Sequence, residues 1–164
     1  MKNLFVIFFF LISWASFAQQ QLPTIPANGF AFTIGTKFTI KLVSTDSTYF
    51  DYSVIAFESF NKTVDSWEND DLFDKVGQDS TISCYFCYGT HGKTKKEKEE
   101  NMKVLLIMKN YSKLVLEYKS DIQRKENGEF LSTSNDGLYP NVKSTEIWPY
   151  MIYSIGMRDF KIRK

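Results

Sequence analysis

The residues best suited to chemistry are Cys84, Cys87 and His91, set out as Cys-x-x-Cys-x-x-x-His. Three readings follow from their types and spacing. A Cys84–Cys87 disulfide suits an oxidising compartment. In a straight strand, however, residues three apart sit roughly 10 Å apart at ~3.3 Å per residue, and a bridge wants Cα atoms within about 7 Å. A second reading makes both cysteines buried, unpaired and small. The third makes Cys84, Cys87 and His91 a metal site, aided by a methionine such as Met102, or a thiol centre. Structural zinc takes four Cys or His ligands and this chain holds two Cys and one His, so the soft donors suit copper(I) better. Redox chemistry of the thioredoxin kind wants its Cys pair at a helix start within a βαβ pattern; here an aromatic strand precedes the pair and a glycine loop follows.

Other chemistries have less to stand on. His91 is the single histidine, and there is no Gly-x-Ser-x-Gly elbow and no phosphate-cradling glycine loop. Paired carboxylates for glycosidic cleavage are a matter of spatial separation, so 19 acidic residues point nowhere in particular. Asp65, Glu68, Asp70, Asp71 and Asp74 cluster around Trp67, Leu72 and Phe73. Calcium wants several oxygen ligands, but this spacing is not that of an EF-hand loop. An acidic loop or one helical turn anchored by its aromatics is the expectation. Trp67 and Trp148 are candidate partner contacts, set against ordinary packing of an isolated Trp. No catalytic residue and no cofactor is assigned.

These residues must be positioned by strands. Val104 to Met108 is a continuous apolar run, as in a strand buried on both faces. Leu114, Leu116, Tyr118 and Ile122 then share one phase, against Lys113, Glu117, Lys119 and Asp121 on the other. With Lys109-Asn110-Tyr111-Ser112 as turn chemistry, the stretch predicts a central β-hairpin. Phe30 to Leu42 alternates around Gly35, as one bulged strand or two. Tyr49 to Phe60 is its expected antiparallel partner, with Val54-Ile55-Ala56-Phe57 apolar on both phases and so deeply placed. Thr81 to Tyr88 is a strand. Lys93 to Asn101 carries its lysines before its glutamates, against the helix dipole, and is expected as a solvated hairpin tip, although Thr94 and Glu97 have capping-box spacing. Asn127-Gly128 marks a turn, Phe130 to Ser134 a short strand, and Tyr153 to Ile162 the last strand. Pro149 marks an edge or a strand entry.

The expected fold is all-β, a single antiparallel β-sandwich of immunoglobulin-like or jelly-roll outline over residues 29–164. Residues 19–28, with Pro23 and Pro26, form an extended, exposed lead-in. Residues 1–18 read as a signal peptide: Lys2, an apolar run from Leu4 to Ile12, and small residues at Ser16 and Ala18. The run falls below the ~20 apolar residues of a spanning helix, and no Cys stands at the cleavage site for a lipid anchor. Removing Lys2 turns 20 basic and 19 acidic residues into 19 of each. That balance argues against nucleic acid or an anionic membrane as partner.

Thr133-Ser134, then Glu146-Ile147-Trp148-Pro149, Ile152 and Phe160, behind the Leu105 to Ile122 stretch, resemble the C-terminal half of small exported bacterial proteins of unassigned function. The resemblance covers about a third of the chain. It implies export and a β domain and brings no active residues with it. Two function classes stand: an exported, periplasmic or secreted, non-catalytic domain binding a protein or cell-surface component, or a copper- or thiol-handling protein using Cys84, Cys87 and His91.

Overall fold

A computed structural model of the chain describes residues 22–163. The signal-peptide reading of 1–18, and the first residues of the lead-in, lie outside the described residues. The strands are β1 (Gly29–Thr33), β2 (Thr36–Ser44), β3 (Tyr49–Ser59), β4 (Val64–Asp65), β5 (Thr81–Thr90), β6 (Lys103–Asn110), β7 (Leu116–Gln123), β8 (Phe130–Thr133), β9 (Lys143–Trp148) and β10 (Ser154–Ile162). A short helix, α1 (Lys95–Glu100), joins β5 to β6. The all-β expectation holds. The strands form one hydrogen-bonded sheet in the order β8-β7-β10-β3-β2-β5-β6-β9, with β1 beside β10 and the two-residue β4 parallel to β5.

Period-two alternation decides which residues the sheet encloses. Phe38, Ile40 and Leu42 of β2, Tyr52 and Val54 of β3, and Ile82, Cys84 and Phe86 of β5 are buried on its inner face. Val104, Leu106 and Met108 of β6 join them, with Leu116, Tyr118 and Ile122 of β7 and Ile155, Met157 and Phe160 of β10. The sheet curls around this core. The hydroxyl of Tyr118, on β7, donates to a Glu146 carboxyl oxygen on β9 and lies 3.6 Å from the Met108 sulfur on β6, yet these strands stand at opposite ends of the hydrogen-bonded path.

The outer face of β5 and β6 is buried too. Tyr85, Cys87, Leu105 and Ile107 form a second cluster, packed by Phe60, Val64, Leu72 and Phe73. The irregular acidic stretch is therefore a cover. The Tyr85 hydroxyl donates to the Leu72 carbonyl at 2.6 Å, and Tyr111 Oη and Lys109 Nζ donate to the Asp74 carbonyl at 2.8 and 2.9 Å. This accounts for an apolar run through β6 with no wet phase.

Four expectations need correction. β6 and β7 are not a hairpin: β6 pairs with β5 and β9, and β7 with β10 and β8. The connection arches over the core because the fully buried Asn110 organises it with its side chain. Its amide nitrogen donates to the Leu114 carbonyl at 2.9 Å, and its oxygen accepts from Ser112 N–H at 2.9 Å. Second, Lys95–Glu100 is helical. Thr94 and Glu97 complete the capping box, and Lys95–Glu99 and Lys96–Glu100 pair along the helix, which together outweigh an unfavourable charge order. Third, Val54 is buried but Ile55 and Phe57 are exposed. The β2–β3 register shifts between Thr39 and Ile40, so Ile55 falls at a bulge on the outer face, away from the acidic stretch that covers β5. Phe57 instead pairs with Phe38 on the inner side and stands at the open edge of that core beside Phe32 and Val54. Fourth, the lead-in is partly paired: Ala27 exchanges backbone hydrogen bonds with Tyr52, and Val54 N–H donates to the Pro23 carbonyl.

Candidate functional site

Alternation along β5 separates the two thiols. Cys84 points into the main core, between Phe38 of β2 and Met108 of β6 in register, whereas Cys87 points outward beside Leu105. Both are free and fully buried. The disulfide candidate is thus not formed, because a continuous strand sends the side chains to opposite faces. Burial raises both thiols, Cys87 to about 12 and Cys84 further, so neither is a ready thiolate or soft metal ligand. His91 follows the end of β5, its ring 5.9 Å from that of Trp67. The structure does not bring Cys84, Cys87 and His91 together. Among the described residues no group of three or more His, Cys, Asp or Glu side chains is placed to hold a metal ion.

A thiol titration checks this placement. In unreduced native protein neither cysteine should react with an aromatic disulfide reagent within minutes. After denaturation, still without reductant, both should react. Copper(I) titrated against a competing chelator should likewise show no tight stoichiometric binding to the native protein.

The acidic stretch is held by its own backbone and by cations. Asp65 Oδ1 accepts from Trp67 N–H at 2.8 Å and Glu68 N–H at 2.9 Å, which holds its carboxyl below the usual range. Asp70 pairs with Lys143, whose Nζ also donates to Asn69 Oδ1 at 2.9 Å. Elsewhere Asp121 pairs with Arg158, Asp159 with Arg158 and Lys119, and Glu117 with Lys161 and Arg163. Carboxylates committed to such pairs are poorly placed for acid–base work.

The two tryptophans separate as sharply as the thiols. Trp148, on the inner phase of β9, is 5 % exposed within the main core, which corrects its reading as a partner contact. Trp67 is 58 % exposed yet tightly positioned. β4 pairs with the end of β5, Ser66 N–H donates to the Thr90 carbonyl at 2.8 Å, and the Asp65 turn fixes the Trp67 backbone. Lys103 Nζ lies 5.9 Å from the centre of the indole, the His91 ring inclines towards it at 56°, and Met102, beside Lys103 in the chain, is also exposed. The result is an aromatic and cationic rim at the tip of the β5–β6 hairpin. An Asp two residues before an aromatic, in a stretch leading back to a strand, was the available sequence signal.

Comparison with protein-family models, curated proteins and solved structures returns no match for this chain.

Proposed function

We propose that this chain is an exported β-domain without a catalytic centre, which binds a protein or cell-surface component through the rim around Trp67. In outline it is read as a sandwich, since β7 faces β6 and β9 across one core and the β6–β7 connection arches from one layer to the other. The single observation that carries the functional reading is the Trp67 side chain, largely in water on a backbone that hydrogen bonds hold in place. An aromatic anchor that is already ordered gives up little conformational freedom on binding, and Trp is the residue type most enriched among interface hot spots. Lys103 and His91 beside it supply polar contacts at the rim. The buried, separated thiols give the copper- or thiol-handling alternative no accessible centre to work with.

The test is co-sedimentation of purified mature protein with envelope fractions of the producing cells, for the wild type and Trp67→Ala. Wild-type protein should be retained, and Trp67→Ala should lose roughly thirtyfold or more in affinity, the effect of removing a hot spot. Its denaturation midpoint should hardly move, because an exposed side chain contributes within about 0.5 kcal/mol to stability. Equal retention of both proteins would reject the Trp67 rim as the binding surface.

A further inference from the structure

Glu146 belongs to the Glu-x-Trp-Pro stretch singled out in the sequence, and the proposed binding surface makes no use of it. It sits on β9, an end strand of the sheet path whose backbone ladder is made with β6. Its register partner is the fully buried Leu106, and it shares the inner phase with Trp148. Its carboxyl group therefore lies over the main core, where Tyr118 Oη donates to it. Tyr118 is itself buried at 5 % exposure, its ring stacked on Phe160 at 5.2 Å and 12°. β7 and β9 share no backbone ladder, so this hydrogen bond ties an end strand to the layer it faces.

The surroundings of the carboxyl group decide what happens when it ionises. From β7 it meets the neutral Tyr118 hydroxyl, and from β6 the apolar Leu106 and the Met108 thioether that adjoins that hydroxyl. From the β8–β9 connection the charged group acting on it is the Asp136 carboxylate, and from β5 the neutral Cys84 thiol lies near Tyr118. The cations of β7 and β9 and the one that follows β10 are committed elsewhere: Lys119 to Asp159, Lys143 to Asp70 and Asn69, and Arg163 to Glu117 and the Asp136 carbonyl. Among the described residues none forms an ion pair with Glu146. An ionised Glu146 thus has one hydrogen-bond donor, one like charge and an apolar floor.

We propose that Glu146 and Tyr118 form a proton-dependent clasp, closed while Glu146 is protonated and loosened, with β9, when it ionises. Burial first, and Asp136 second, raise the Glu146 pKa to about 7, against the opposing pull of the Tyr118 hydrogen bond. A carboxyl group whose folded pKa lies above its unfolded value stabilises the fold fully below the unfolded value, ~4.5, and loses that contribution as pH rises to about 7. An exported protein meets external pH directly, so the clasp would release β9 in neutral to alkaline surroundings and hold it in acidic ones.

The experiment is hydrogen exchange of the backbone amides of 143–148, corrected for intrinsic rates and referred to those of β2, at pH 5.5 and pH 8. In the wild type, β9 protection relative to β2 should fall about tenfold or more between the two. In Glu146→Gln, which keeps the shape and removes the ionisation, relative protection should be the same at both. A wild-type ratio that ignores pH, or an equal fall in Glu146→Gln, would overturn the clasp. Carbon-detected titration of the Glu146 carboxyl in wild-type protein needs no variant to fold. A midpoint near 7 supports the clasp, and one in the ordinary glutamate range overturns it.

Discussion

Leu106→Asp is expected to yield no folded protein. Leu106 is fully buried on the inner face of β6, between Phe86 of β5 and Glu146 of β9 in register. Aspartate there loses the packing of a buried leucine, about 2–5 kcal/mol, and buries a carboxylate with no cation to pair it. It would also face a second acid, Glu146, across one ladder step. Each of these alone is comparable with much of a domain's net stability of ~5–15 kcal/mol. Lys119→Gln is the control, since it removes only an exposed ion pair with Asp159 at 3.0 Å and should cost no more than about 1 kcal/mol. Circular dichroism and a denaturant titration read both variants. A Leu106→Asp protein with a near-normal midpoint would contradict the placement of β6.

Asn110→Ala should be the most damaging single change at a polar side chain, about 2–4 kcal/mol, because it strands Ser112 N–H and weakens the satisfaction of the Leu114 carbonyl inside the arch. Urea unfolding should show a lower midpoint at an unchanged slope. If the arch were a solvated turn, the same substitution would fall within about 0.5 kcal/mol. That result would restore the hairpin reading.

This arch is also where the sequence was least legible. The strands themselves could be found: alternation located β2 and β7, Asn127-Gly128 turned β7 into β8, and the unbroken apolar run marked β6 as buried on both faces. Which strands pair is a different kind of information. Two strands joined by a short polar segment are a hairpin by default, and only the buried amide of Asn110, bonded to backbone in three dimensions, turns the chain across the core instead. The same blindness affected β3. Its apolar residues 54–57 suit burial on both faces, but whether Ile55 is covered on the outer face depends on where the acidic stretch lies. That stretch covers β5 and β6, while Phe57 stays on the inner phase opposite Phe38 at the open edge of the core. For the candidate site, the spacing left a disulfide, two buried thiols and a metal site all open, and the structure selects the buried, unpaired thiols because β5 runs straight through both positions. Trp67 and Trp148 were indistinguishable in the sequence, since exposure here depends on the Asp65 turn in one case and on the phase of an end strand in the other.

The central claim is that the Trp67 rim is the face this domain presents to a partner, and tryptophan fluorescence tests it most directly. In protein prepared from residues 19–164, Trp67 and Trp148 are the two tryptophans, one exposed and one in the core. Acrylamide should therefore quench a single class of emission, that of Trp67. Solubilised envelope component that co-sediments with the protein should, when titrated in, protect this class and shift its emission to shorter wavelength in proportion to the bound fraction. If the component binds while acrylamide still reaches Trp67 as it does in the free protein, the partner sits elsewhere and the claim is wrong.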